Sequence, residues 1–130
     1  MLINILNLLR IKDWLKNLLI FLPVIFSNNL FQTQHYSNLI YAFFIFCLAS
    51  SFVYIVNDIK DIDDDKIHPL KKNIKPLANG KLQVFLAKKI LIILIFFLGL
   101  LLFLDNTILN LVFLYIILNL AYNYFLKKIP

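Results

Sequence analysis

The residues that decide the fold of this chain are numbers 39–65, LIYAFFIFCLASSFVYIVNDIKDIDDD. The first eighteen are uncharged and mostly apolar, and five of the chain's seven carboxylates follow within the next nine. Ionised side chains at membrane depth are costly, so they usually meet a cation, a paired base or a substrate channel. The stretch therefore predicts a transmembrane helix that ends in a carboxylate cluster with one of these roles.

Composition predicts the same class of protein. Of the 130 residues, 62% are hydrophobic and 15% are aromatic, which is more apolar surface than a soluble domain of this length can bury. With two glycines, four prolines and no polar linker, the sequence predicts one membrane domain over residues 1–130. Cys47 is the only cysteine, so an intramolecular disulfide is excluded. The expected fold is an all-α, multi-span membrane helix bundle.

Four apolar segments approach the length of about 20 residues that a helix needs to cross a bilayer. They are Leu15 to Phe31, Leu39 to Val56, Phe85 to Leu104 and Ile108 to Leu126. The first is interrupted by Pro23, Asn28 and Asn29. The preceding segment, Met1 to Asp13, alternates apolar and polar residues, which is typical of a helix lying at the membrane interface. No small-residue cleavage site follows it, so we expect it to be retained and not removed as a signal peptide.

Basic residues fall on one side of the membrane when the chain is threaded through these four spans. The lysines and arginines occur before or at the start of the first span, between the second and third spans or at the start of the third, and after the fourth, whereas loops 27–38 and 105–107 contain none. Under the positive-inside rule, both termini and the Asp-rich loop face the cytoplasm, and we expect a cell (inner) membrane location. The formal net charge of +6 follows from this topology, so it gives no reason to expect nucleic-acid binding.

The spacing of the acids predicts a metal site. If the second span continues as a helix past the membrane edge, positions 57, 58, 61 and 65 fall within an arc of about 100°. The side chains of Asp58, Asp61 and Asp65 then converge on one point. Asn57 lies beside them, whereas Asp63 projects into solvent. Three carboxylates and an amide suit Mg²⁺, which usually keeps several waters and completes its shell with substrate phosphates.

Basic residues after this cluster favour an anionic ligand over the alternative, a solvated acidic helix end balanced by lysines. His68, Lys71 and Lys75 follow within ten residues of Asp65. Carboxylates beside concentrated lysines indicate a ligand that a metal holds on one flank and ammonium groups hold on the other. A lone histidine in a polar loop more often makes surface hydrogen bonds, so both roles stay open for His68.

These residues resemble the first aspartate-rich motif of the UbiA-type intramembrane transferases, which has the form N-D-x-x-D-x-x-x-D. The matching positions are Asn57, Asp58, Asp61 and Asp65. The continuations H-P-x-K from His68 and K-P-x-A-x-G from Lys75 are most similar to the branch that transfers phosphoribose to decaprenyl phosphate, in which an arginine usually stands at the position of Lys75. The opening L-R-I-K-D-W-L-K-N, residues 9–17, is similar to that branch's L-R-P-K-x-W-x-K-N.

The resemblance implies transfer from a diphosphate-activated donor, by preference phosphoribosyl pyrophosphate, to a lipid or aromatic acceptor, by preference a polyprenyl phosphate. It implies that the residues ligating Mg²⁺ are Asp58, Asp61 and Asp65, with Asn57 orienting the site. It implies that substrate phosphates contact His68, Lys71 and Lys75. A phosphate headgroup would be held by Arg10, Lys12 and Lys16, for which a positive-inside anchoring role stays equally open.

Members of that family are longer and carry a second aspartate-rich motif, whereas this sequence holds one. The resemblance therefore implies an N-terminal half, which a second-half polypeptide or a homo-oligomer would complete. A non-catalytic remnant or a subunit of a split enzyme is one alternative. Another is transfer of a prenyl group from its diphosphate to an aromatic acceptor, against which the H-P-x-K continuation argues. An ion-conducting bundle would need acids within the spans, and the four segments contain none.

Overall fold

The computed structural model describes residues 1–26, 34–104 and 106–125. Within these ranges all regular secondary structure is helical, which confirms the all-α part of the predicted fold class. Helix α1 is Leu2–Leu8, and a 3-10 helix follows at Ile11–Phe21. The remaining helices are α2 Leu22–Phe26, α3 Gln34–Lys60, α4 Ile62–Ile67, α5 Lys71–Ile74, α6 Val84–Leu104 and α7 Leu109–Tyr124.

Two of the described helices are long and apolar enough to cross a membrane. They are α3, over residues Tyr36–Lys60, and α6. Helix α7 is apolar but has 16 residues, which is shorter than a full span. The predicted second and third spans therefore have helices of membrane-spanning length, while the total of four spans stays a prediction.

The N-terminal part differs from the prediction. The expected interfacial helix Met1 to Asp13 ends at Leu8, and Arg10 then has left-handed backbone angles, φ 51° and ψ 46°, which a right-handed α-helix cannot contain. The expected first span begins as a 3-10 helix and continues as α2, and its residues 27–31 lie outside the described ranges. A 3-10 helix rises about 2.0 Å per residue against about 1.5 Å in an α-helix, so this segment covers more distance with fewer residues.

The helix that carries the aspartates is interrupted at Asp61, which corrects the expectation of one continuous helix. Helix α3 ends at Lys60 and α4 begins at Ile62, and Asp61 between them has φ −90° and ψ 10°, outside the α region. The N–H of Asp61 still donates to the carbonyl of Asn57 at 2.9 Å, and the N–H of Asp65 donates to the carbonyl of Asp61 at 2.8 Å. This four-residue spacing carries the helical phase across the interruption.

Helix α3 is central, because α1, the 3-10 helix, α6 and α7 all pack against it. Near its acidic end, a buried cluster joins α1, α3, α6 and the loop before α6 through Leu8, Ile55, Leu77, Leu82, Ala87 and Leu94. A second cluster joins α3, α6 and α7 through Ile45, Ala49, Leu98 and Val112. Lipid is as apolar as these side chains, so close packing is what holds such helices together in a membrane. The first cluster fixes the loop after the aspartates against α1 and α3.

Candidate functional site

Burial divides the clustered aspartates into two groups. The exposed fractions of Asp58, Asp61 and Asp65 are 3%, 8% and 2%, whereas the side chain of Asp63 is 89% exposed and Asp64 is also exposed. The three buried residues are those that the helical spacing places on one face. Buried carboxylates need charged or hydrogen-bonding partners, so this face must be matched by basic groups or a ligand.

Lys75 supplies one such partner for two of the acids. Its Nζ lies 2.8 Å from Asp58 Oδ1 and 2.5 Å from Asp65 Oδ2, so one ammonium group bridges an acid of α3 and an acid of α4. The chain that follows is fixed, because the N–H of Leu82 donates to the carbonyl of Pro76 at 3.0 Å and Leu82 belongs to the buried cluster near the end of α3. The loop thus returns Lys75 to the acids that precede it.

The amine of Lys75 is held in its charged form. Burial lowers the pKa of this amine, but hydrogen bonds and charge attraction from Asp58 and Asp65 outweigh burial and raise the pKa above its ordinary value of 10.5. Lys75 is therefore protonated throughout the physiological pH range and presents a permanent positive charge to both carboxylates.

Arg10 is a second cationic partner of Asp58. Its Nη2 donates to Asp58 Oδ1 at 2.8 Å, and its guanidinium lies over the ring of Tyr54, 4.4 Å from the ring centroid. A guanidinium group stacks well on aromatic rings, which fixes its orientation. The left-handed turn at Arg10 thus places a rigid cation from the N-terminal segment at the acidic end of α3.

A buried serine of α3 holds that N-terminal segment in place. The indole Nε1 of Trp14 donates to Ser51 Oγ at 3.0 Å, and Ser51 Oγ donates to the carbonyl of Leu9 at 2.7 Å. Ser51 has no exposed surface. Because Leu9 immediately precedes Arg10, this pair of hydrogen bonds docks the backbone from which Arg10 reaches Asp58.

The donor atoms fit a Mg²⁺ ion as a two-carboxylate site. Asp58 and Asp65 already share one cation, and the buried Oδ1 of Asn57 has no hydrogen-bond partner in the described part of the chain. Mg²⁺ usually takes one or two carboxylates and keeps several waters. Among the described residues, no three Asp, Glu, His or Cys side chains are close enough to hold one metal ion. The expected convergence of three carboxylates, Asp61 included, is therefore absent from this arrangement, and metal binding itself stays a prediction.

A cavity of about 720 Å³ adjoins these groups. Its charged lining consists of Arg10, Lys12, Asp13, Asp58, Lys71 and Lys75, and its apolar lining includes Ile3, Leu6, Ile11 and Ile74. The four cationic side chains outnumber the two carboxylates, which suits a phosphate-bearing ligand. The adjoining apolar surface suits a hydrocarbon part of the same ligand or of a second one.

Three of the predicted substrate-binding residues, Asn57, His68 and Lys16, lie outside the lining of this cavity. His68 is exposed, and its Nδ1 accepts hydrogen bonds from the backbone N–H groups of Leu70 and Lys71 at 3.3 and 3.4 Å, so it stabilises the turn before α5. The side chain of Lys16 is 70% exposed, and its Nζ lies 3.2 Å from Asp13 Oδ1. The positions of His68 and Lys16 match the surface-histidine and membrane-anchor alternatives more closely than ligand contact.

Comparison with known proteins identifies a protein family for the chain. The sequence matches the UbiA prenyltransferase family over residues 19–130. The chain belongs to this family. Similar proteins include the decaprenyl-phosphate phosphoribosyltransferases of Corynebacterium glutamicum, 35% identical over 81 residues, and of Mycolicibacterium smegmatis, 30% identical over 88 residues. These matches cover 61% and 65% of this chain and 24% and 27% of those proteins.

A third relative of this UbiA-family chain matches almost all of it. The y4nM protein of Sinorhizobium fredii is 33% identical over 124 residues, which is 93% of this chain and 23% of that protein. The chain thus spans about a quarter of the length of the curated relatives it matches. UbiA proteins are integral membrane proteins, in agreement with the two described helices of membrane-spanning length.

Sequence reasoning misses three residues that position the site in this UbiA-family chain: Ser51, Tyr54 and Lys60. The Nζ of Lys60 donates to the carbonyl of Asn123 and lies 4.2 Å from the centroid of the Tyr124 ring, so it ties the end of α3 to the end of α7. Paired serines in an apolar run are a detectable signal for helix contacts, which applies to Ser51. Tyr54 and Lys60 give no such signal, because neither belongs to a local pattern of this kind.

Proposed function

We propose that this UbiA-family chain takes part in Mg²⁺-dependent transfer of a phosphoribosyl group from phosphoribosyl pyrophosphate to a polyprenyl phosphate. The observation that carries the proposal is the bridged pair of buried carboxylates, Asp58 and Asp65, beside a cavity with four cationic side chains. The two relatives named decaprenyl-phosphate phosphoribosyltransferase support this choice of donor and acceptor.

The residues around the cavity take separate roles in this proposal. Mg²⁺ would be held by Asp58 and Asp65, with Asp61 and the amide oxygen of Asn57 nearby in the sequence, and it would neutralise charge on the departing pyrophosphate. Lys71, Lys75 and Arg10 would bind phosphate oxygens, because their cationic groups already face the acids and the cavity. Such preorganised charge stabilises a leaving group without a covalent nucleophile.

The acceptor would use the cavity's mixed lining. Lys12 is a further cation for the phosphate of a polyprenyl phosphate, and Ile3, Leu6 and Ile11 offer apolar surface next to it. His68 and Lys16 have weaker support, since they lie outside the cavity lining. Because the chain spans about a quarter of its relatives, we propose that a second polypeptide or a further copy of the chain completes the active enzyme.

Transfer from a prenyl diphosphate to an aromatic acceptor is the second candidate, favoured by the name of the family. The same carboxylates would serve it, since both donors carry a diphosphate. The two candidate functions differ in which donor stabilises the protein against unfolding. If the second candidate is right, a prenyl diphosphate stabilises the chain and phosphoribosyl pyrophosphate does not.

The test is transfer of labelled phosphoribose into lipid by membranes that contain this chain, with Mg²⁺ and polyprenyl phosphate, alone and with a second-half polypeptide. Asp65→Asn is the test variant and Asp63→Asn is the matched control, because the two acids are two residues apart but one is buried and the other is 89% exposed. We expect at least a hundredfold loss for Asp65→Asn, about 2.7 kcal/mol in transition-state stabilisation, and wild-type activity for Asp63→Asn. Equal losses of activity in both variants would reject the proposal. So would the absence of transfer both by the chain alone and by the chain with the second-half polypeptide.

A further inference from the structure

Lys75 occupies the position at which Asp58 and Asp65 share a cation. Its Nζ is 2.8 and 2.5 Å from one oxygen of each carboxylate, so it stands where a metal ion bridging those two oxygens would stand. The side chain is 14% exposed, which means that protein surrounds most of the ammonium group. A divalent cation that bridges the same two oxygens would need the position of this ammonium group, so the two cations cannot occupy the space between the carboxylates together.

The surroundings offer the ammonium group a second position. Lys75 also lines the adjoining cavity, and a lysine side chain is a flexible stem that carries a point charge. Each carboxylate keeps a cationic neighbour when Lys75 leaves. Arg10 Nη2 lies 2.8 Å from Asp58 Oδ1, and Lys71 Nζ lies 3.7 Å from Asp65 Oδ1.

We propose that Lys75 is an exchangeable counter-ion. It fills the cation position between Asp58 and Asp65 until a divalent cation displaces it, and its ammonium group then binds phosphate groups in the cavity. This inference rests on the proposed function, because it requires a divalent cation that enters with a diphosphate.

The consequence is cooperative binding of metal and diphosphate. Metal alone must displace an ammonium group that gains nothing in exchange, whereas metal with a diphosphate gives that group a new anionic partner. The coupling is reciprocal, since each ligand raises the affinity for the other by the same factor. The protein thereby resists taking up a bare metal ion at the carboxylates.

The displacement of Lys75 by a metal is tested by Mn²⁺ binding to the purified full chain in detergent micelles. Free Mn²⁺ is measured by electron paramagnetic resonance. We expect Lys75→Gln to bind Mn²⁺ alone about tenfold more tightly than wild type, because the competing charge is gone. Lys75→Arg keeps the charge and should remain close to wild type. Exposed Lys72 provides a matched control, and Lys72→Gln should leave Mn²⁺ affinity unchanged.

The binding of the displaced ammonium group to phosphate is tested with inorganic pyrophosphate, for which the expected change in affinity is opposite to that for Mn²⁺. In the presence of Mn²⁺, Lys75→Gln should bind pyrophosphate more weakly than wild type, since a phosphate contact is lost. A purely structural role for Lys75 would weaken both ligands together. Tighter metal binding with weaker pyrophosphate binding is the signature that an exchangeable counter-ion produces.

A measurement on the wild-type protein covers the case in which Lys75→Gln does not fold. Reductive methylation of Lys75, followed by mass spectrometry, should increase when Mn²⁺ is added and decrease again when pyrophosphate follows, with Lys72 constant throughout. Unchanged methylation of Lys75 while Mn²⁺ is bound, or equal Mn²⁺ affinity in wild type and Lys75→Gln, would overturn the exchange and leave the proposed function intact. Absence of Mn²⁺ binding with and without pyrophosphate would overturn both.

Discussion

Asp63 and Asp65 have the same side chain and opposite environments. Asp65 is buried and bridged to a loop lysine, while Asp63 makes an exposed ion pair with Lys66 at 3.3 Å, a type of contact that contributes about 0–1 kcal/mol. Helical phase, and not residue type, therefore decides which of the clustered acids belong to the site. The composition of the Asp-rich segment alone would assign all of them the same importance.

Lys75 gives the site a pH dependence whose sign follows from its raised pKa. In the unfolded chain the amine titrates near 10.5, and in the folded protein it titrates at higher pH. Its contribution to the free energy of unfolding is fully present below pH 10.5 and is lost as pH rises through the folded-state pKa. We expect the difference in unfolding free energy between wild type and Lys75→Gln to be constant from about pH 7 to 9 and to shrink above about pH 10.5.

Unfolding titrations with sodium dodecyl sulfate in mixed micelles, with a chelator present, measure this difference. Lys72→Gln is the control, and its difference from wild type should stay near zero across the same range. A wild-type advantage over Lys75→Gln that already declines between pH 7 and 9 would contradict the raised pKa.

Helix α3 organises the site by docking the N-terminal segment as well as by carrying acids. Ser51→Ala removes both hydrogen bonds of that docking and leaves the Trp14 N–H and the Leu9 carbonyl without this partner. Buried polar groups left unpaired cost about 1–3 kcal/mol, so we expect the free energy of unfolding to fall by about that amount. Equilibrium unfolding of the purified variant measures the change.

The neighbouring serine provides the control for this variant. Ser50 Oγ donates to the carbonyl of Cys47 in the same helix at 2.9 Å, a local bond whose loss leaves the N-terminal segment untouched. Ser50→Ala should therefore change the unfolding free energy by less than about 0.5 kcal/mol. Equal destabilisation by both variants would mean that volume, and not docking, explains the effect of Ser51→Ala.

Periodicity predicts the parts of the site that lie on one helix. The apolar run predicts the long helix, and the spacing of Asp58, Asp61 and Asp65 predicts that these acids share one face. Contacts between segments escape this reasoning, because nothing in the local pattern brings Arg10 to Asp58 or folds the loop so that Lys75 returns to both acids. The interruption at Asp61 escapes it as well, since no glycine or proline marks the position.

The molecule as a whole is expected to cross the membrane with its charged site on the cytoplasmic side. Helix α6 separates Lys72 from Asn106, and both residues are exposed. In a Cys47→Ser background, we expect a membrane-impermeant maleimide to label Asn106→Cys in intact cells and to label Lys72→Cys only after permeabilisation. The asymmetry follows from the lysine and arginine positions, which favour retention of the Asp-rich loop in the cytoplasm.

The Cys47→Ser chain without an added cysteine is the control for background labelling. Labelling of both positions in intact cells would contradict the predicted topology, and so would the reverse pattern. Because the labelling sites lie outside the candidate site, this outcome is independent of metal and substrate binding.

The hydrogen bond from Trp14 to Ser51 has a practical consequence for optical work. Trp14 is the only tryptophan of the chain, so the intrinsic indole fluorescence comes from this one docking point and needs no attached dye. Detachment of the N-terminal segment would move that indole into a different surrounding and shift its emission spectrum. Fluorescence can therefore report in real time whether the N-terminal segment that carries Arg10 to Asp58 is docked, during refolding or on addition of a ligand.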